Sequence, residues 1–343
     1  MAKLFGREYT KNEFLMYSGN PSNFAGVTPV EYADGKARGT RALEIRTGEG
    51  FEFTVLPDKC LDIYSLRFRG VTLSQQAKNG LTGNTWGQAI PGNFSSSVSG
   101  GMLFTAGLLN AGPASTDTDG TYHQCHGNIG ITPAENLCAR AFWDGDEYKI
   151  EVSGTMRESG LFKQNLMLTR KITTCLGSNE LEIEDTLENL TAVPEEFCIL
   201  YHFNYGFPFL CEDLKLDFGE NECIPRTPQA AAGLSESAKM IRPEHDFFEH
   251  VFFRKMVPDE NGVARIVAEN EKLGIGAEIS YETANLPNLC QWKSMRAGDY
   301  ALGIEPANMY IMGRAEEREN GTLPVIGGYE KKTFRLKVKA YSL

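Results

Sequence analysis

Alternation of apolar and polar residues is the dominant pattern along this chain. It is clear in Phe51–Leu56, Tyr148–Ser153, Leu181–Leu187 and Lys332–Tyr341. A period of two places successive side chains on opposite faces of a strand, so each segment predicts a strand with one buried and one solvated face. Turn residues follow at short intervals, at 69–70, 144–146, 177–179, 189–191 and 261–262. The pattern predicts an all-β protein.

The number of strand segments indicates how they are arranged. Many short, regularly punctuated antiparallel strands are typical of a large β-sandwich. The chain has 343 residues, which is long for one all-β domain, so two fused halves are an alternative. Without a repeat or a low-complexity linker, we predict one domain over residues 1–343, with residues 1–37 as a peripheral N-terminal segment. Helix is predicted only as a turn or two at Asp246–Val251.

Composition narrows the partners that we expect. The formal net charge is −11 and no run of basic residues stands out, which argues against nucleic acid or an anionic membrane. The sequence contains neither an apolar signal core nor a stretch near the roughly 18 residues of a membrane helix. None of the eight cysteines forms a C-x-x-C pair, so buried free thiols are expected. We expect a cytoplasmic protein, monomeric or homodimeric.

A glycine-rich segment between Leu81 and Gly112 departs from the strand pattern. It contains eight glycines from residue 80 onward and few charged residues. Glycine permits close approach of backbone to a neighbour. The segment therefore predicts either a meandering loop over the sandwich or a loop that brings backbone close to a ligand.

Three residues in unusual contexts are the main candidates for chemistry. Glu305 precedes a proline at the end of an apolar strand pattern, where it is poorly solvated; a buried ion pair with arginine or lysine is the structural alternative. His126 begins a His-Gly-x-x-Gly turn and could be a surface turn residue. His202 lies among aromatic residues and could be a core histidine with its hydrogen bonds satisfied. However, His202 and Asn204 share one strand face, and a polar face flanked by aromatic rings suits a sugar.

Further polar residues extend this candidate site. Gln291-Trp292-Lys293 brings an amide, an indole and an amine together, whereas Arg41, Lys59 and Asp62 form a charged set that is more typical of structural contacts. A zinc or manganese site from His123, His126 and His202 is an alternative without a recognised metal spacing. The sequence has no G-x-S-x-G elbow, H-E-x-x-H, P-loop or dinucleotide fingerprint. We therefore expect no cofactor and no metal.

Three features of the chain resemble the aldose 1-epimerase (galactose mutarotase) family. They are the His-Gly-x-x-Gly turn at 126–130, the strand histidine His202 followed by aromatics and asparagine, and Glu305-Pro306, in the family's order along the chain. The resemblance runs from about Arg38 to the C-terminus. It implies a large antiparallel β-supersandwich.

The resemblance also implies roles for single residues. Glu305 would be the catalytic base, His202 the general acid and His126 a substrate contact. The segment Phe248–Phe252 is similar to one that places a sugar-binding aspartate where this chain has Glu249. Gln291 is similar in context to a glutamine that contacts the sugar.

Two departures from the family bear on the substrate. The family's Gly-Arg segment would fall near Gly100–Gly107, which has no arginine, and residue 249 is Glu instead of Asp. These changes predict a sugar other than galactose or glucose, with the positive contact supplied by Arg41, Lys59 or Lys293.

The expected function is interconversion of the α and β anomers of a free sugar by acid/base ring opening. One alternative is an isomerase or epimerase that acts at a carbon, with or without a metal. The other is a sugar-binding protein without catalytic activity.

Overall fold

The structure is a computed structural model that describes residues 1–84 and 93–343. The four α-helices in these ranges are short: α1 (Lys11–Tyr17), α2 (Phe94–Ser97), α3 (Pro228–Ala232) and α4 (Arg314–Glu319). None of the helices in the described ranges has the length and apolar character that a membrane crossing requires. The segment Asp246–Val251 holds no helix, because strand β19 begins at His250.

Strands make up about half of the described chain. In chain order they are β1 (Ala2–Leu4), β2 (Arg7–Tyr9), β3 (Gly26–Glu31), β4 (Arg41–Arg46), β5 (Phe51–Leu56), β6 (Asp62–Phe68), β7 (Val71–Thr72), β8 (Leu103–Leu108), β9 (Ser115–Thr116), β10 (Tyr122–His123), β11 (Glu135–Asp144), β12 (Glu147–Ser159), β13 (Asn165–Cys175), β14 (Glu180–Asn189), β15 (Glu195–Glu196), β16 (Cys198–Tyr205), β17 (Lys215–Asp217), β18 (Asn221–Pro225), β19 (His250–Met256), β20 (Val263–Asn270), β21 (Ile275–Glu282), β22 (Asn288–Arg296), β23 (Asp299–Ala307), β24 (Val325–Ile326) and β25 (Lys331–Ser342).

Three large antiparallel sheets organise these strands. Their orders are β11-β12-β13-β14-β25-β21-β20-β17, β18-β19-β22-β23-β16-β8 and β3-β4-β5-β6-β7. All four segments with strong alternation are strands: they form β5 and parts of β12, β14 and β25. The predicted all-β fold of large antiparallel sheets is confirmed.

Strand β16 shows how the alternation positions a site. Tyr201, Phe203 and Tyr205 point to one face of the six-stranded sheet and are fully buried in the main hydrophobic core. His202 and Asn204 therefore point to the opposite face, because side chains alternate along a strand. The apolar half of β16 anchors the sheet, and the polar half is presented to a cleft.

A buried ion-pair network joins the three sheets beneath that cleft. Arg170 on β13 is fully buried and lies 2.9 Å from Asp62 on β6 and 2.7 Å from Asp185 on β14. It also donates to the hydroxyl of Thr105 on β8 at 3.0 Å, and Tyr201 on β16 donates to Asp185 at 2.8 Å. Because a buried charge is tolerated only when it is paired and hydrogen-bonded, this network requires the sheets to keep their relative positions.

The first 37 residues pack against this body. Strand β3 pairs with β4 along its whole length, and Phe14 of α1 is buried in the main core. The single-domain assignment, with residues 1–37 as a separate peripheral segment, stays a prediction.

Candidate functional site

A cleft of about 470 Å³ opens on one face of the six-stranded sheet. Strands β8, β16, β19, β22 and β23 form its floor, and loops after β10 and β18 contribute to its wall. The polar and aromatic side chains in the cleft that matter most here are Phe94, Phe104, His126, His202, Asn204, Arg226, Glu249, Trp292 and Glu305.

Glu305 and His202 are neighbours on adjacent strands. Strands β16 and β23 are antiparallel with Phe203 opposite Ile304, so residues 202 and 305 lie side by side on the cleft face. Glu305 Oε1 is 3.1 Å from His202 Nε2, and the two side chains are 1% and 14% exposed. The atoms are not aligned as a hydrogen bond. Within the described part of the chain, neither Glu305 Oε1 nor His202 Nδ1 has a hydrogen-bond partner.

Burial shifts both groups toward their neutral forms. Desolvation raises the pKa of Glu305 to about 8; the charge of Glu249 adds to this, while a hydrogen bond from Cys290 and the charge of Arg226 oppose it. Desolvation, and then the neighbouring His126, lower the pKa of His202 to about 3. At neutral pH the pair therefore holds one proton, predominantly on Glu305.

The alternative of a buried ion pair between Glu305 and arginine or lysine does not agree with its surroundings. In the described residues, the nitrogen within 4 Å of its carboxylate belongs to His202, and no arginine or lysine lies within that distance. A carboxyl group that is buried and lacks a cationic partner is a feature typical of catalytic sites.

His126 reaches the cleft from a tight turn. The residue itself has φ of 61° and Gly127 has φ of 70°; a Cβ on Gly127 would lie 2.2 Å from the Gly107 carbonyl oxygen, so only glycine fits there. Desolvation and then the charge of Arg226 lower the pKa of His126 to about 4. The backbone N–H of Gly112 donates to His126 Nδ1 at 3.4 Å, so the neutral ring carries its proton on Nε2 and can donate it to a ligand.

Aromatic rings form a continuous wall in the cleft. The ring centroid of His126 lies 5.2 Å from that of Phe94, 5.9 Å from Phe104 and 5.9 Å from His202. His202 in turn lies 5.7 Å from Trp292. Such rings can stack on the C–H face of a sugar while its hydroxyls bond to polar groups.

Two predicted sugar contacts, Glu249 and Asn204, lie in the cleft, and hydrogen bonds hold each side chain in place. Glu249 is exposed, and its Oε2 accepts a 2.6 Å hydrogen bond from the Trp292 indole. Asn204 is buried and donates to the carbonyls of Gly101 and His202, each at 3.0 Å. The structure thus brings His126, His202, Asn204, Glu249 and Glu305 together in one cleft.

Gln291, Lys293 and Arg41 do not lie in this cleft. Trp292 faces the cleft, so its neighbours on β22 point to the other side of the sheet. Gln291 is fully buried there and accepts from Arg254 at 2.8 Å, and Lys293 donates to the Glu236 carbonyl at 3.0 Å.

Arg41 is separated from the cleft as well. Its guanidinium is about half exposed and forms a 2.6 Å ion pair with Asp58. Lys59 lines a separate small cavity next to Asp62, and desolvation lowers its pKa to about 8. None of the three cations expected to contact the sugar lines the cleft.

Arg226 is the charged cleft residue that the sequence reasoning missed, alongside the aromatic residues Phe94 and Phe104. It follows strand β18 directly and is partly buried in the cleft wall. No local motif marks it, because its place in the cleft depends on the pairing of β18 with β19, of β19 with β22 and of β22 with β23, the strand that carries Glu305. The nearest signal was the sequence Ile224-Pro225-Arg226, a cation at the end of an apolar strand.

Part of the glycine-rich segment contributes to the cleft. Phe94, Val98 and Gly100 line it. Whether this loop brings its backbone close to a ligand stays a prediction. Gly87 and Gly92 of the same segment lie outside the described residues.

Over residues 1–84 and 93–343, no group of three histidine, cysteine, aspartate or glutamate side chains is arranged to hold a metal ion. His123, which the metal alternative required, forms a 3.1 Å contact with Asp117 instead.

Comparison with solved structures identifies the architecture. A "putative aldose 1-epimerase" from Klebsiella pneumoniae matches with a TM-score of 0.86 and 24% identity, over 92% of this chain and 83% of that one. A galactose mutarotase-like protein from Clostridium acetobutylicum has a TM-score of 0.61 and 14% identity, over 93% and 99%. A galactose 1-epimerase from Lactobacillus acidophilus has a TM-score of 0.58 and 14% identity, also over 93% and 99%. At these identities the likeness establishes the fold alone: the chain has a galactose mutarotase-like β-sandwich fold.

A match to a sequence family is more specific than the likeness in fold. A family model described as a domain of unknown function (DUF4432) matches residues 37–340, so the chain belongs to that family. Comparison with curated proteins finds no match.

Proposed function

We propose that this protein is a mutarotase that interconverts the α and β anomers of a free sugar. The observation that carries the proposal is the pair of Glu305 and His202, 3.1 Å apart and nearly buried. It lies in a cleft with an aromatic wall and polar contacts, which are the features that a sugar site needs. The solved structures of the same fold carry names that agree with this chemistry.

The reaction needs one base and one acid. Glu305 removes the proton of the anomeric hydroxyl while His202 donates a proton to the ring oxygen, and the ring opens to a free carbonyl, an aldehyde for an aldose and a ketone for a keto sugar. Rotation about the bond between the carbonyl carbon and the next chain carbon, followed by closure from the other face, gives the second anomer, and both protons return. His126 Nε2 and Glu249 hold hydroxyls, and the rings of Phe104 and Trp292 face the sugar's C–H surface.

The number of protons that Glu305 and His202 hold together agrees with this acid/base mechanism. Between the pKa of His202 at about 3 and that of Glu305 at about 8, the pair holds the single proton that the reaction needs. In the free protein that proton is mainly on Glu305, so the reactive form with Glu305 ionised and His202 protonated is a minor tautomer of the same charge state. The rate should fall above about pH 8, where the pair loses its proton.

The test is anomer exchange by saturation-transfer NMR over a panel of aldoses, ketoses and sugar acids. We expect acceleration above the solvent background for at least one sugar, with a decline above about pH 8. The same spectra in D₂O report loss of a C–H signal. Such a loss would indicate epimerisation or isomerisation at carbon instead. Binding without acceleration of either exchange would indicate a non-catalytic sugar-binding protein.

Gly303 provides a second, local test of the pair. A Cβ at this position would lie 2.4 Å from Glu305 Oε1 and 3.0 Å from His202 Cε1. Gly303→Ala should therefore displace the carboxylate and lower the exchange rate by about 100-fold, the order expected for a 1 Å misplacement. Because the end of the Glu305 side chain can move aside, the thermal midpoint should change little. Gly19→Ala, where a Cβ meets nothing within 4 Å, should leave the rate unchanged.

A further inference from the structure

Arg226 is a cation in the cleft wall, and its guanidinium has no partner among the residues that the structure describes. It is partly buried and lines the cleft together with His126, Glu249 and Glu305. Over residues 1–84 and 93–343, its guanidinium has neither an ion pair within 4 Å nor a hydrogen bond; its backbone N–H alone is engaged, with the Val251 carbonyl at 2.9 Å. A guanidinium has five N–H donors and stays charged, so covering it without an acceptor is costly.

None of the described acidic groups of the cleft forms an ion pair with the Arg226 guanidinium. Asp299 is committed to Lys78, 2.8 Å away. Glu249 is held by the Trp292 indole and lies more than 4 Å from Arg226. Glu305 is predominantly protonated at neutral pH, since its pKa is about 8. A ligand that fills the cleft and displaces water from the guanidinium would therefore have to supply an acceptor in its place.

We infer that the substrate is a sugar acid whose carboxylate binds Arg226, an inference that rests on the proposed function. A carboxylate matches the planar fork of one guanidinium in a bidentate pair. A phosphate dianion fits less well, because it usually takes a cluster of cations and Glu249 faces the same cleft. The sugar hydroxyls would then lie toward Glu249 and His126.

The position of Arg226 indicates where on the sugar the carboxylate lies. Arg226 lines the same cleft as Glu305, His202 and His126. Its charge adds to the fall in the pKa of His126 and opposes the rise in the pKa of Glu305, in agreement with a place near the acid/base pair. In a hexuronate the carboxylate is carried by C5, which is bonded to the ring oxygen; in a 2-keto sugar acid it is carried by the anomeric carbon. Both place the anion within two bonds of the reacting atoms, and the two classes can be separated by experiment.

The experiment compares wild type with Arg226→Met and Arg226→Lys on matched substrates. The probes are D-glucuronate and D-galacturonate, a 2-keto sugar acid, and the neutral hexoses D-glucose and D-galactose, all followed by anomer exchange. We expect wild type to prefer one carboxylate class. Arg226→Met should lower kcat/KM for that class by about 10–100-fold, as loss of a charge-assisted hydrogen-bonded pair does, and should lower the acid-to-hexose rate ratio by at least tenfold. Arg226→Lys should recover part of the loss.

The outcomes separate this inference from the proposed function. Exchange of neutral hexoses with no preference for acids, or equal losses on both in Arg226→Met, would overturn the inference and leave the mutarotase proposal standing. If no sugar exchanges faster than background, the mutarotase proposal fails, and titration with glucuronate and the keto acid decides the inference alone. Saturable binding that is weakened tenfold by Arg226→Met would support it, and binding that does not depend on Arg226, or none, would refute it. Unchanged thermal midpoints confirm that the variants fold.

Discussion

Glu305→Gln is expected to reduce the anomer-exchange rate by about 10²–10⁴-fold, which is the usual contribution of a positioned base. Glutamine keeps the size of the side chain and cannot accept the anomeric proton, so the change removes the chemistry and leaves the packing. Since Glu305 is 1% exposed, water cannot readily replace it as the base. The measurement is kcat by saturation-transfer NMR on the sugar that wild type exchanges fastest.

Two other Glu→Gln variants serve as controls for Glu305→Gln. Glu249→Gln changes a carboxylate in the same cleft that is exposed to water; we expect mainly a higher KM, because its role is to hold hydroxyls. Glu182→Gln changes an exposed residue on the outer face of the eight-stranded sheet and should leave both constants unaltered. Full activity of Glu305→Gln on every sugar would remove Glu305 from the mechanism and with it the proposed function of the pair.

The strands could be predicted because their signal is local. Alternation in Phe51–Leu56 or Lys332–Tyr341 follows directly from one buried and one solvated face, and the structure has strands at these positions. Sheet order could not be derived in this way. For example, β16 pairs with both β8 and β23, contacts that span about a hundred residues and leave no local pattern.

The residues of the candidate site also fall into two groups, those that a local sequence pattern predicts and those that it does not. His202 and Asn204 were placed together on one face by strand alternation, and the family resemblance added Glu305 and His126. Alternation applied to β22 would have separated Trp292 from Gln291 and Lys293, which point to the opposite face. The same period of two that predicts the strands thus assigns these three neighbours to two faces of the sheet, and only Trp292 to the cleft.

Arg226 shows the limit of reasoning from sequence in this protein. The departure from the family at Gly100–Gly107 indicated that a cation was missing, but the candidates named for it were exposed or buried elsewhere. Arg226 lies more than twenty residues along the chain from the nearest other residues of the cleft, Asn204 and Glu249. Its place in the site depends on tertiary pairing alone.

Glu305→Gln should also make the fold more stable at neutral and alkaline pH. The ordinary pKa of the side chain is 4.5, and burial raises it to about 8 in the folded protein. Between these values the unfolded chain has lost a proton that the folded protein keeps, so wild-type stability falls as pH rises, by up to about 1.4 kcal/mol per pH unit. Above about pH 8 the penalty is complete and constant. Glutamine carries no such penalty.

The stability difference between Glu305→Gln and wild type is therefore expected to be small near pH 4.5 and to grow to a few kcal/mol, on the order of the linkage value, by pH 8. Urea unfolding at several pH values measures it, and Glu182→Gln should show no comparable trend because surface substitutions usually stay within about 0.5 kcal/mol. A difference that does not change between pH 4.5 and pH 8 would mean that Glu305 is ionised in the folded protein at neutral pH. The proton of the pair would then reside on His202 or be absent, and the limit near pH 8 on the exchange rate would have to be assigned to another group. A stability difference that rises with pH would show that burial of the Glu305 carboxyl group destabilises the folded protein. A glutamate with a purely structural role would not be expected to carry such a cost.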